Sequence, residues 1–267
     1  MSAAPVGIAA LQFRPGDDAE ANLAEIARLT AEAAGRGAAV VVAPEYANVF
    51  VAPFDERILE GAETLEGPFV ARLVEIAAAH DVTLVAGLVE RADGSRVRNA
   101  AVAVDAAGVR AVYRKQHLYD AFGQAESDWV EPGELSEPET FEVGGLVFGL
   151  MTCYDLRFPE AARMLVDAGA DVILVPAEWV RGPLKEHHWR TLVAARAIES
   201  TAYVVASDHT PPIGIGCSMV VDPQGVQLAA CGTEPGVAIG WASRGEIDRV
   251  REANPALRLR RYRVVSR

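Results

Sequence analysis

Lysine is almost missing from this chain: of its 25 basic residues only Lys115 and Lys185 are lysines, and the other 23 are arginines. Cysteine is scarce as well. Cys153, Cys217 and Cys231 are an odd number with no paired spacing, which excludes a disulfide scaffold and suits a reducing, cytoplasmic setting. None of the three has ligand spacing with a histidine, and the adjacent His187 and His188 point different ways on a helix, so neither a metal nor a cofactor is expected. No apolar run approaches the ~20 residues of a membrane span. The opening MSAAPVGIAALQF lacks a basic n-region and alternates like a strand, so it does not read as a signal peptide. Positive charge is in deficit overall. A net charge of −12 argues against nucleic-acid binding. The basic run Arg258, Arg260, Arg261 and Arg263 is the exception, and a tail from about residue 252 reads as solvated or subunit-pairing.

What is present is an ordinary globular composition, 51% hydrophobic and 23% charged, in a chain of 267 residues. That length supports one sizeable α/β domain spanning 1–267, and no linker-like stretch divides it. The pattern predicts a strand over Val6–Phe13, a capped helix over Asp17–Ala34 and a strand over Ala38–Ala43. A helix at Pro68–His80, a strand at Val82–Val89 and a hairpin from Asn99 to Arg114 follow. The segment Asp120–Glu139 is too long for a connector and reads as an active-site loop. Later come a helix at 159–168, a strand at Asp171–Pro176, a helix at His187–Ser200 and a strand at Ala202–Ser207. A hairpin at Ser218–Ala230 and a strand at Val237–Ala242 complete the pattern.

Three residues stand at ends of these strands. Cys153, in LVFGLMTCYDLRFPE, lies where an apolar strand stops and a sharp turn leads to a helix that Pro159 and Glu160 begin. A cysteine there is either a nucleophile, its pKa lowered by the helix start, or a buried core thiol. Lys115 follows Ala111–Arg114 and is either a surface lysine or a compact charge aimed at an oxyanion. Glu45 follows the fully apolar run AAVVVA, on the edge where α/β folds collect their active sites, or else is a solvated turn residue.

As an ordered set, APEY, YRKQHL and LMTCYDLRFPE resemble the nitrilase, or carbon–nitrogen hydrolase, superfamily over nearly the whole chain. The resemblance implies a four-layer αββα sandwich of two mixed sheets with outer helices. It implies a catalytic triad of Glu45, Lys115 and Cys153, with Glu126 assisting and Glu131 as the alternative. It further implies hydrolysis of a small amide through a thioester, with no cofactor, by a homodimer or larger homo-oligomer. CYDLRFPE is most similar to the omega-amidase and deaminated-glutathione amidase branch, and N-carbamoyl amino acid hydrolases are the rival. In the expected pocket, the Tyr154 N–H would help hold the oxyanion. Arg157 would pair with a substrate carboxylate, or with Asp155 or Glu160. Glu178 and Trp179 would form a wall. Trp189, Arg196 and Glu199 read as interface or scaffold. A non-catalytic binding module of the same fold is the reading from another class.

Overall fold

Strand β1 (Val6–Gln12) is buried along its entire length, because both of its faces are covered. Ile8 and Ala10 point toward a second sheet, whereas Ala9 and Leu11 pack under helices. Such strands need apolar residues at every position rather than at alternate ones. The computed structural model describes residues 4–265; residues 1–3 and 266–267, the two ends of the span expected from sequence, lie outside the described residues.

The first sheet joins β1 to β2 (Ala38–Val42), β3 (Thr83–Arg91), β4 (Val97–Asp105), β5 (Gly108–Arg114), the two-residue β6 (Val130–Glu131) and β13 (Gly236–Ala242). Its order is β13-β1-β2-β3-β4-β5, with β6 beside β4. β1, β2 and β3 run parallel; β13 is antiparallel to β1, and β4 is antiparallel to β3 and β5 but parallel to β6. The second sheet, in the order β12-β11-β10-β9-β8-β7, comprises β7 (Thr140–Val143), β8 (Leu146–Leu150), β9 (Val172–Pro176), β10 (Tyr203–Ser207), β11 (Met219–Val221) and β12 (Gln227–Ala230).

Between the sheets lies a core that includes Val40, Val42 and Val85 from one side and Phe148, Leu150, Leu174 and Val205 from the other. Burying each such side chain contributes about 1.5–3 kcal/mol relative to leaving it exposed. Helices α1 (Ala19–Gly35) and α3 (Pro68–His80) cover the outer face of the first sheet, using Leu23, Ile26, Leu29, Phe69 and Leu73. Helices α4 (Pro159–Asp167) and α5 (Lys185–Ser200) cover the second. The layers are therefore α, β, β, α, as the resemblance implied.

Asp18 caps α1 by accepting from the N–H groups of Glu20 and Ala21, and Pro68 and Pro159 open α3 and α4. The sequence pattern misses the short α2 (Arg57–Glu60), the edge strand β7 and helix α6 (Arg244–Ala253). α6 has few apolar residues, and it is held by the buried Ile247 and Val250 and by charge. Arg244 and Arg251 both reach the buried Asp171. The expected loop Asp120–Glu139 is partly ordered, with a 3₁₀ turn at Glu126–Asp128 followed by β6. Among the described residues no helix is long and apolar enough to cross a membrane.

Candidate active site

Glu45, Lys115 and Cys153 lie just beyond the ends of β2, β5 and β8, and all three are buried, at 1%, 2% and 6% exposure. Two of the turns that carry them adopt left-handed backbone: φ is 55° at Tyr46 and 44° at Cys153. A non-glycine residue held there costs on the order of 1–3 kcal/mol. Gly87 makes room for the Glu45 turn. A Cβ on it would stand 2.3 Å from the Tyr46 nitrogen, and its own N–H donates to Pro44 O at 3.0 Å.

Lys115 Nζ donates to Glu45 Oε1 at 2.9 Å and to both oxygens of Glu126, at 3.0 and 2.9 Å. Glu126 is thus set against the lysine, whereas Glu131 faces away and pairs with Arg98. Asn99, whose role the sequence did not disclose, donates its amide to Glu45 Oε1 at 2.7 Å and to Glu126 Oε1 at 3.1 Å. Tyr46 donates its hydroxyl to Glu126, and the Tyr119 N–H donates to the same carboxylate at 2.6 Å.

One ammonium between two buried carboxylates divides their behaviour. Burial opposes ionisation of Glu126, yet Lys115 and the donors of Tyr46 and Tyr119 outweigh it and hold the carboxyl below its usual range. Glu45 has fewer donors. Burial, only partly offset by Lys115, raises its pKa. Burial alone would discharge Lys115, but the two carboxylates keep its pKa well above the usual lysine value.

Cys153 corrects one expectation. It begins a 3₁₀ turn (Cys153–Arg157) ahead of the helix that Pro159 opens, as expected, but burial followed by the charge of Glu45 pushes its thiol well up rather than down. The thiol is neutral at rest and needs a base. Its S–H donates to the Glu178 carbonyl at 3.3 Å, while the N–H of Glu178 donates to Glu45 Oε2 at 2.6 Å. The backbone of one residue therefore touches both the nucleophile and the base.

The turn after Cys153 is pinned from several sides. Asp155 accepts from the Thr152 N–H at 2.9 Å and the Tyr113 hydroxyl at 2.7 Å, and lies 2.7 Å from His117 Nδ1. Arg196 on α5 donates twice to Leu156 O, at 3.0 and 2.6 Å, and Trp189 is fully buried. Trp189 and Arg196 are therefore scaffold, and Glu199 pairs with Arg196. With Asp155 so engaged, Arg157 pairs with neither Asp155 nor Glu160. It lies over the Trp179 ring at 4.9 Å and lines a narrow pocket with Cys153, Tyr154, Glu178, Trp179 and Lys185. Burial and the neighbouring Glu45 and Asp208 keep the Glu178 carboxyl protonated well above the usual range. Among the described residues, no group of three or more His, Cys, Asp or Glu side chains is placed to hold a metal ion.

The deaminated glutathione amidase of Escherichia coli is 38% identical over 255 residues, covering 96% of this chain and 97% of its own. The human protein of that name is 33% identical, covering 95% of this chain and 82% of its own. Among solved structures, a Nesterenkonia AN1 amidase of the nitrilase superfamily superposes with a TM-score of 0.82 at 28% identity, covering 96% of this chain and 94% of that one. Another structure of that amidase carries acrylamide on its active-site cysteine. Residues 7–252 match the carbon–nitrogen hydrolase family, and the chain belongs to that family.

Proposed function

We propose that this protein is a cysteine-dependent amidase that releases ammonia or an amine from a small, carboxylate-bearing linear amide through a thioester. The observation that carries the reading is Glu45, its pKa raised, sharing the Lys115 ammonium with Glu126 in the site of a neutral, buried thiol. Glu45 takes the Cys153 proton as sulfur bonds to the amide carbon. Lys115 and the Tyr154 N–H stabilise the oxyanion. Glu45 returns the proton to the nitrogen, the C–N bond breaks and the amine leaves. A water then gives a proton to Glu45 and attacks the thioester, and the carboxylic acid departs as the thiol re-forms. Glu126 keeps Lys115 charged and in place through the cycle. Arg157 receives the substrate carboxylate through its planar fork, with Tyr154, Glu178 and Trp179 as walls.

The unpaired cysteines fit a reducing cytoplasm. The half-exposed Ile198 and Trp241, with Leu259 and Tyr262 in the tail, offer apolar surface for pairing two copies. The test is turnover of 2-oxoglutaramate, deaminated glutathione and an N-carbamoyl amino acid by wild type, Cys153→Ala and Glu45→Gln. Each variant loses at least about 10³-fold in kcat/KM, as removal of a nucleophile or its base requires. Wild-type rates in Glu45→Gln would overturn the assignment. Turnover of the carbamoyl compound alone would keep the mechanism and move the substrate class, and silence on all three would favour the binding module.

A further inference from the structure

Asp208 follows β10 in VVASDHT, is fully buried, and takes no part in the chemistry proposed above. Both of its carboxyl oxygens are engaged by backbone donors: Oδ1 accepts from the Trp179 N–H at 2.6 Å and Oδ2 from the Ile215 N–H at 3.1 Å. Its own N–H donates to Ser218 Oγ at 2.9 Å. Burying a carboxyl is costly, so what this one holds matters. The Glu178–Trp179 bond is a planar trans peptide, and the Trp179 N–H and the Glu178 carbonyl are therefore one rigid unit pointing in opposite directions. Asp208 grips one end of that unit, and the Cys153 S–H donates to the other at 3.3 Å. The preceding peptide is held separately. The Glu178 N–H donates to Glu45 Oε2 at 2.6 Å, and the Ala177 carbonyl accepts from the Glu45 N–H at 3.4 Å. Only φ and ψ of Glu178 join the two planes, and with each plane fixed neither angle is free to turn.

We propose that Asp208 is a positioning residue for the reaction at Cys153: by holding the Glu178–Trp179 peptide it keeps the Glu178 carbonyl on the thiol and the thiol in line with Glu45. It acts through one peptide plane and touches neither sulfur nor substrate. The Ile215 N–H has a second acceptor, the Trp179 carbonyl at 3.1 Å, so the bond to the Trp179 N–H is the one for which Asp208 is needed. Losing it frees ψ of Glu178, and the carbonyl leaves the S–H. That hydrogen bond favours the neutral thiol, so its loss makes Cys153 easier to ionise while misalignment slows proton transfer to Glu45. Substrate binding is spared, because other contacts hold the Trp179 ring. Its Nε1 donates to the Lys185 carbonyl at 2.9 Å, and the ring packs on Trp189 with 5.3 Å between centres. The inference rests on the amidase reading for its turnover assay, but not for the hold on the thiol.

Asp208→Asn and Asp208→Leu separate this role from charge and from packing. Asparagine keeps an acceptor for the Trp179 N–H, whereas leucine has similar bulk and none. With 2-oxoglutaramate, kcat of Asp208→Leu falls at least about tenfold below that of Asp208→Asn, with KM within about threefold. Iodoacetamide labelling of Cys153 at pH 8, followed by mass spectrometry, moves the other way. Leucine exceeds asparagine by about threefold or more, while Cys231 in the same sample labels at an unchanged rate. A lower kcat with a more reactive thiol is the signature of lost alignment, since partial unfolding quickens both cysteines together. Where leucine prevents folding, Asp208→Ala carries the same comparison. The infrared S–H band of Cys153, taken as wild type minus Cys153→Ala, needs no variant of Asp208 and lies below the position of a free thiol. Equal kcat and equal labelling in the asparagine and apolar variants, labelling that rises alike at Cys153 and Cys231, or an S–H band at the free-thiol position would overturn the inference and leave an active amidase standing. A wild type that hydrolyses no amide, yet shows the gain in labelling on going from asparagine to leucine, overturns the amidase and leaves the positioning role.

Discussion

Asn99 supplies one NH₂ group to both carboxylates that share Lys115, so it fixes how the negative charge is divided between them. Replacing it with leucine removes a donor that favours the ionised form of Glu45, and the pKa of Glu45 rises further. The acid limb of the kcat/KM profile then moves to higher pH, and kcat near neutrality falls by about tenfold or more. A pH–rate profile of Asn99→Leu against wild type checks this, and an unmoved acid limb would count against Glu45 as the titrating base. At this scale the sequence was informative where chemistry is rare. A lysine among arginines, a cysteine at a strand end and a glutamate behind an apolar run each stand out, and their order points to the family. Asn99 did not stand out, because a neutral amide inside a hairpin looks like any strand residue until its neighbours are known. The acidity of Cys153 was read in the wrong direction for a related reason. The turn after it is visible in the sequence, but the burial and the charge of Glu45 come from distant segments.

The 3₁₀ turn Cys153–Arg157 is held in place by α5, through the two bonds from Arg196 to the Leu156 carbonyl. Arg196→Met keeps much of the packing but strips that buried carbonyl of its donors. The expected loss is about 1–3 kcal/mol in stability, seen as a lower urea midpoint. A fall in kcat exceeds any change in KM, because the left-handed Cys153 loses the support that over-determines it. The main elements were legible where burial is two-sided or periodicity strong: β1, β2, α1 and α3 appear within a residue or two of their expected places. α6 and β7 were not, and the physical reason differs for each. α6 docks through only Ile247 and Val250 together with ion pairs to Asp171, too short an apolar stripe to stand out, and β7 is four residues at a sheet edge.

Across the whole molecule, the two sheets meet at a buried histidine. His209, fully buried at the end of β10, donates Nε2–H to the Glu45 carbonyl at 2.7 Å, and burial lowers its pKa to about 4. The unfolded chain takes up this proton near pH 6.5, whereas the folded chain resists until about pH 4. The contribution of His209 is therefore complete above pH 6.5 and declines as pH falls toward 4, by about 2 kcal/mol at pH 5. Urea midpoints at pH 7 and pH 5 should differ less in His209→Gln than in wild type. Equal differences would mean that other groups carry the acid sensitivity.

The backbone of Glu178 touches Glu45 with its N–H and Cys153 with its carbonyl, although the two side chains stand on different sheets. Sheets packed face to face slide and breathe against each other, and a base and a nucleophile mounted separately would drift apart with every such excursion. A shared reference point turns that drift into a common displacement. The distance a proton must cross is thereby insulated from the largest motion this architecture allows, and alignment survives without stiffening the core between the sheets.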